Sequence, residues 1–143
     1  MLAGDIRFHG RVLRAGDYCV AAAGTVHDDM TTETGCTVLL VASERDEPVD
    51  SAATDDRGLT FVAARDRAWR EGPAAGVTTR QLFANRPAGT LTAEVRMQPG
   101  ARLPGHRHMT PEQLYMLEGD AHVGGHVLRA GDYYRAPRAA PTR

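Results

Sequence analysis

The sequence predicts an all-β domain of the sandwich or barrel type. Gly and Pro recur at short intervals along the 143 residues, with 15 Gly and 8 Pro in all. The pieces between them are short and apolar or alternating, as strands are: 37–41, 59–63, 90–97, 113–117 and 126–128. No stretch keeps a long 3.6-residue period, and many short strands separated by turns are typical of a β-sandwich or barrel.

The elements follow from local patterns in chain order. The segment 36–42 (CTVLLVA) is an apolar strand of the kind that covers an open sheet edge. Residues 90–97 (TLTAEVRM) alternate apolar and polar side chains, which predicts a strand with one solvated face. Residues 44–57 are polar, acidic and contain a proline, so we expect a linker there. It separates an N-terminal segment, 1–43, from a longer one, 58–143.

An internal repeat joins the two ends of the sequence. Residues 1–18 are MLAGDIRFHGRVLRAGDY and residues 116–133 are MLEGDAHVGGHVLRAGDY, with twelve identities at a constant offset of 115. A repeat of this kind indicates one structural unit used twice. The unit is predicted to be a hairpin with a Gly-rich turn. Asp17 and Asp132 are expected to support the backbone of a second turn rather than to bind a ligand.

Charge and composition exclude some functions. The chain carries 17 basic and 18 acidic side chains, a net charge of −1. A basic surplus is needed to bind phosphate backbones, so we expect no nucleic-acid partner. No apolar stretch is long enough to cross a membrane and no signal peptide is visible, which predicts a cytoplasmic protein. Cys19 and Cys36 are expected to be buried free thiols rather than a disulfide.

The chemistry is concentrated in the segment 99–119, PGARLPGHRHMTPEQLYMLEG. On an extended chain His106 and His108 point to the same side, and a turn at 109–111 would bring Glu112 back toward them. Imidazole nitrogens and a carboxylate oxygen suit zinc and other first-row divalent metals, and two His with one carboxylate also form the facial triad of non-heme iron oxygenases. Taken alone, the segment fits either a metal site or surface histidines on a polar loop.

The flanking residues resemble the cupin superfamily. The spacing of Gly100, His106, His108, Glu112 and Gly119 is that of the first cupin motif, and 131–137 (GDYYRAP) resembles the start of the second. Trp69, Gly76-Val77 and Leu82-Phe83 are similar to the cupin of the ChrR type, named for a zinc-dependent anti-sigma factor. The resemblance implies a jelly-roll barrel of two antiparallel sheets, with one divalent metal ion: Zn, Fe, Mn or Ni.

The resemblance also implies a fourth ligand, a His that closes the second motif, and here the sequence departs from the family. At the repeat offset His27 corresponds to Thr142, so each copy has only part of the ligand set. Three alternatives stay open. The chain is a piece of a two-cupin protein with two half-sites; or the site is open, with three ligands; or His27 completes it, through a permuted barrel or through strand swapping between two chains.

Function is predicted at the level of classes. The first is a metal-dependent dioxygenase acting on a small organic molecule, with Tyr115, Tyr133, Arg96 and Glu94 as candidates to line the barrel mouth. The alternatives are a non-catalytic metal-binding sensor or regulatory module, as in the ChrR cupin, and a degenerate structural cupin. ChrR proteins bind their sigma factor through a zinc-binding helical segment, and no such segment is visible in this sequence. An anti-sigma role is therefore not expected. Unpaired sheet edges favour a homodimer.

Overall fold

The computed structural model describes residues 1–42, 57–108 and 110–136, and this part of the chain is built from short antiparallel strands. In chain order they are β1 (Ala3–Phe8), β2 (Arg11–Arg14), β3 (Tyr18–Ala21), β4 (Cys36–Thr37), β5 (Leu59–Val62), β6 (Arg70–Glu71), β7 (Val77–Asn85), β8 (Thr90–Met97), β9 (Glu112–Tyr115), β10 (Asp120–Val123), β11 (His126–Arg129) and β12 (Tyr133–Ala136). The predicted all-β class is confirmed. Within the described residues, no helix has the length and apolar character needed to cross a membrane.

The chain divides into two compact units. The first, Met1–Arg102, contains three sheets with strand orders β2-β1-β4, β3-β5 and β6-β7-β8. The second, Leu103–Arg143, contains the pairs β10-β11 and β12-β9. Apart from residue 57, the predicted linker lies outside the described residues.

The repeat folds into the same hairpin twice, as predicted. Strand β1 pairs with β2 in the register Asp5↔Arg14, and β10 pairs with β11 in the register Asp120↔Arg129, so the offset of 115 holds in the hydrogen-bond ladder. In both turns the two central residues have positive φ, as a type I′ turn requires: His9 and Gly10 in the first, Gly124 and Gly125 in the second. The inward-facing leucines of the two copies, Leu13 and Leu128, are both buried.

The repeated aspartates close the turn after each hairpin. The Asp17 carboxylate accepts a hydrogen bond from the Arg14 backbone N–H at 2.9 Å, and Asp132 accepts one from Arg129 at 2.8 Å. The structural role predicted for both aspartates is therefore confirmed. Only Asp17 is buried, and the guanidinium of Arg65 lies 3.1 Å from its Oδ1.

Strand β8 has the predicted bounds, but the exposure of its side chains does not follow their alternation. Leu91, Val95 and Met97 are exposed, and on the polar face Thr90 and Arg96 are exposed whereas Thr92 and Glu94 are half-buried. Glu94 forms an ion pair with Arg80 across the β7–β8 ladder, and both side chains are largely buried. Arg80 and Arg96 also lie over the ring of Trp69, at 4.7 and 4.3 Å from its centroid. The ion pair with Glu94 and the stacking on the indole therefore allow the Arg80 guanidinium to be largely buried.

The segment 36–42 is a strand over only part of its length. Cys36 and Thr37 pair with Gly4 and Ala3, whereas residues 38–41 form no strand and keep apolar side chains exposed, Leu40 at 72 %. Both cysteines are free thiols, as predicted. Cys19 is half-buried, and burial raises the pKa of its thiol, whereas Cys36 is exposed on an outer strand and was wrongly predicted to be buried.

Candidate metal centre

His106 lies in an irregular segment before β9, where the chain forms no regular strand. Its Nδ1 is 3.0 Å from the backbone carbonyl oxygen of Pro104. A carbonyl oxygen can only accept, so Nδ1 carries the proton in this contact and Nε2 of the neutral ring has a free lone pair. Orientation of a ligand imidazole by a backbone carbonyl is typical of metal sites.

His108 and Glu112 complete a cluster with His106. The two imidazole rings have centroids 4.6 Å apart at an interplanar angle of 73°. Nε2 of His108 is 3.3 Å from Oε2 of Glu112. The backbone of Glu112 is fixed in a sheet, because Glu112 is the first residue of β9 and pairs in register with Ala136 of β12.

The three side chains could hold a metal ion. One donor atom from each of His106, His108 and Glu112 lies within 4.8 Å of the other two, and a single ion can be reached by all three from that separation. Two of the side chains are half-buried and His106 is exposed, so the cluster stays open to solvent and to a further ligand. The predicted convergence of these residues is thus present, although residue 109 in the predicted turn lies outside the described residues.

His27 is part of the first unit, in the loop that follows β3. Its ring packs edge-on against the buried Phe8, with centroids 5.5 Å apart, and lies 6.0 Å from the ring of His9. These contacts hold the imidazole within its own unit. Its role as a fourth metal ligand stays a prediction.

Three of the four residues predicted to line a substrate site, all but Tyr115, contact other side chains of the protein. Glu94 is paired with Arg80, and Arg96 lies over Trp69. The hydroxyl of Tyr133 donates to Oε1 of Gln113 at 2.7 Å. His122 and His126, the other histidines of the second unit, are exposed on the hairpin.

Sequence reasoning missed two features. The Pro104 carbonyl that orients His106 has no signal in the sequence, because any residue supplies a carbonyl. His9 looks like turn surface in the sequence, but its side chain is only 8 % exposed. The ring Nε2 of His9 accepts a hydrogen bond from the Asp28 backbone N–H at 3.2 Å, and the backbone N–H of His9 donates to the Asp28 carboxylate. His9 is a non-glycine residue with a positive φ of 47°, a backbone conformation that is unfavourable for such residues and that the contacts with Asp28 stabilise.

Comparison with known families identifies the larger part of the chain. Residues 57–141, more than half of the 143, match the family model described as the ChrR cupin-like domain. No curated protein and no solved structure matches the chain significantly.

Proposed function

The chain belongs to the ChrR cupin-like family, and we propose that it binds one divalent metal ion through His106, His108 and Glu112 and acts as a metal-dependent dioxygenase on a small organic molecule. The observation that carries the proposal is the cluster itself: two imidazoles and one carboxylate whose donor atoms lie within 4.8 Å of one another and remain open on one side. This is the donor set of the facial triad.

The protein residues have separate roles in this proposal. His106 presents Nε2 because its Nδ1 donates to Pro104, and Glu112 supplies negative charge from a fixed position on β9. A bound iron(II) ion would supply open positions for oxygen and substrate at the exposed side of the cluster. His27 is proposed as a further ligand, contributed within one chain or across a homodimer.

A non-catalytic role is the second candidate. Two of the polar side chains predicted to position a substrate contact other protein side chains instead, Glu94 with Arg80 and Tyr133 with Gln113. This observation favours a metal-binding regulatory module over an enzyme. A regulatory module needs the same metal ligands, so the two candidates differ in reaction rather than in binding.

The first experiment measures metal content by elemental mass spectrometry of the purified chain. We expect about one metal ion per chain, lost in His106→Ala and kept in His122→Ala, the matched control, because His122 is exposed on the hairpin of the same unit. Loss of metal in His27→Ala as well would assign the fourth ligand. If the chain stays metal-free after reconstitution with iron(II), zinc, manganese and nickel, the metal proposal is wrong.

The second experiment separates the enzyme from the regulatory module. The iron(II)-loaded chain is mixed with a panel of small diketones, and oxygen uptake is recorded with an electrode. Uptake that depends on both the diketone and Glu112 supports the dioxygenase. A fully loaded chain without uptake would contradict it and favour the regulatory module.

A further inference from the structure

The N-terminal hairpin has a covered outer edge. Strand β1 pairs with β2 on one side, and on the other side the segment 28–37 runs antiparallel along it. The backbone N–H and C=O of Arg7 exchange hydrogen bonds with Thr31, at 2.7 and 2.9 Å. Further along the strand, the Gly35 carbonyl accepts a hydrogen bond from the Asp5 N–H, and the Thr37 carbonyl accepts one from the Leu2 N–H.

Two residues of β1 shape this edge for its occupant. The Asp5 carboxylate accepts hydrogen bonds from the backbone N–H groups of Glu33 and Thr34 and from the Thr34 hydroxyl. Gly4 has φ +73°, and a Cβ added there would lie 1.8 Å from the Gly35 carbonyl oxygen. The strand can therefore approach only because position 4 is glycine.

The second hairpin keeps both residues and lacks the occupant. Asp120 and Gly119 are the counterparts of Asp5 and Gly4, and Gly119 has nearly the same φ, +72°. Among the described residues β10 pairs with β11 alone, and no atom lies within 4 Å of a Cβ added at Gly119. Leu117, the counterpart of the half-buried Leu2, is 58 % exposed. Within the described ranges, the outer edge of β10 is thus formed but unpaired.

We propose that the outer edge of β10, residues 117–122, is a docking site for an extended strand of the 31–37 pattern that belongs to a partner protein. The covered copy shows which chemistry fits: an antiparallel strand with two successive N–H groups and a hydroxyl for Asp120, followed by a carbonyl that approaches Gly119. Binding of this kind extends a sheet edge by one strand. The proposal does not depend on the metal site.

A second copy of the chain does not meet this need. Each chain has two such hairpin edges, at β1 and β10, and its described part has one segment that fits them. Exchange of that segment between two copies covers one edge only by exposing another. One contact of the covered copy is not repeated. Arg7 forms an ion pair with Glu33, whereas the counterpart of Arg7 in β10 is His122. A strand that binds β10 therefore needs no acidic residue at the position equivalent to Glu33.

The test uses a fluorescein-labelled peptide of residues 28–38, with Cys36→Ser, added to the full chain while anisotropy is recorded. We expect saturable binding of one peptide per chain, weakened at least about tenfold by Asp120→Ala, because a charge-assisted set of hydrogen bonds is lost. The matched control Asp5→Ala should leave the affinity unchanged. Thr34→Ala in the peptide should weaken binding, and Glu33→Ala should not.

Three outcomes would overturn the proposal. The first is no saturable binding to a wild-type chain whose circular dichroism shows it folded. The second is a loss with Asp5→Ala equal to that with Asp120→Ala, which would place the peptide on β1 by exchange. Gly119→Ala is the second variant: its Cβ fills the space for the carbonyl, and it should abolish binding while the metal content stays that of the wild type. The third outcome is that the chain forms dimers in sedimentation experiments and that the peptide dissociates them, which would make a second copy of the chain the occupant instead.

Discussion

The two aspartates that close the repeated turn are a matched pair, because the same residue makes the same backbone contact in two environments. Asp17 is 6 % exposed, accepts from Arg14 N–H at 2.9 Å, and lies 3.1 Å from Arg65. Asp132 is exposed, and its carboxylate accepts from the Arg129 N–H at 2.8 Å, with no further donor among the residues that the structure describes. Replacement of each by Ala therefore measures what burial adds to one hydrogen bond.

The magnitudes follow from these contacts. A hydrogen bond to a buried carboxylate contributes about 1.5–3 kcal/mol, and its loss leaves the Arg14 N–H without a partner. The ion pair adds at most about 0.5 kcal/mol, since the Arg65 side chain is 65 % exposed and screened by water. We expect Asp17→Ala to cost about 3 kcal/mol and Asp132→Ala about 1 kcal/mol, where water replaces the carboxylate.

Hydrogen–deuterium exchange with mass spectrometry follows both hairpins in one sample, through peptides 1–18 and 116–133. The expected difference of about 2 kcal/mol corresponds to an opening constant raised about thirtyfold more in the first hairpin than in the second. Arg65→Ala is the control and should have a small effect. Equal increases in the two hairpins, or a larger one for Asp132→Ala, would refute the reasoning.

Two more predictions concern the first unit. The hydrogen bonds from Thr34 and Glu33 hold the pKa of Asp5 below its usual range, so the stability they contribute is present above the unfolded-state pKa and is lost as pH falls below about 4. Urea midpoints should therefore drop more between pH 6 and pH 3 in the wild type than in Asp5→Asn, and parallel profiles would contradict this. Glu94→Gln should cost about 3 kcal/mol because it leaves the largely buried Arg80 unpaired. Fluorescence of Trp69, the single tryptophan, reports the unfolding, and Arg80→Met with Glu94→Leu should recover part of the loss.

Local signals in the sequence were sufficient for much of the fold. The turn residues and the repeat predicted both hairpins, because the type I′ turn within each hairpin and the Asp-supported turn after it depend on residues close in sequence. The spacing of His106, His108 and Glu112 predicted their convergence for the same reason. Strand β8 was predicted residue by residue from its alternation.

The features that the sequence does not predict depend on contacts distant in sequence. Glu94 of β8 is largely buried through its pair with Arg80, which in turn lies over Trp69, and alternation along one strand cannot reveal these contacts. Likewise, residues 38–41 are apolar enough for a strand, but a strand also needs a partner edge, and within the segment 36–42 only Cys36 and Thr37 pair with β1. The hydrophobic pattern of a segment predicts whether it is a strand, but it does not predict which other strand the segment pairs with or which residues cover it.

The strands that pair beside the two hairpins limit where the metal chemistry can occur. In the second copy β12 pairs with β9 so that Ala136 is opposite Glu112, and in the first copy β3 pairs with β5 so that Ala21, at the position equivalent to Ala136, is opposite Leu59. A leucine thus occupies the register position of Glu112, the proposed carboxylate ligand, and a leucine has no donor atom for a metal. The first copy cannot build the same ligand set from its own sheet, even though its hairpin is nearly identical. We therefore expect the metal content of the saturated chain to be one ion rather than two, and a second ion lost with His27→Ala but kept with His106→Ala would show that the first copy binds metal by other ligands.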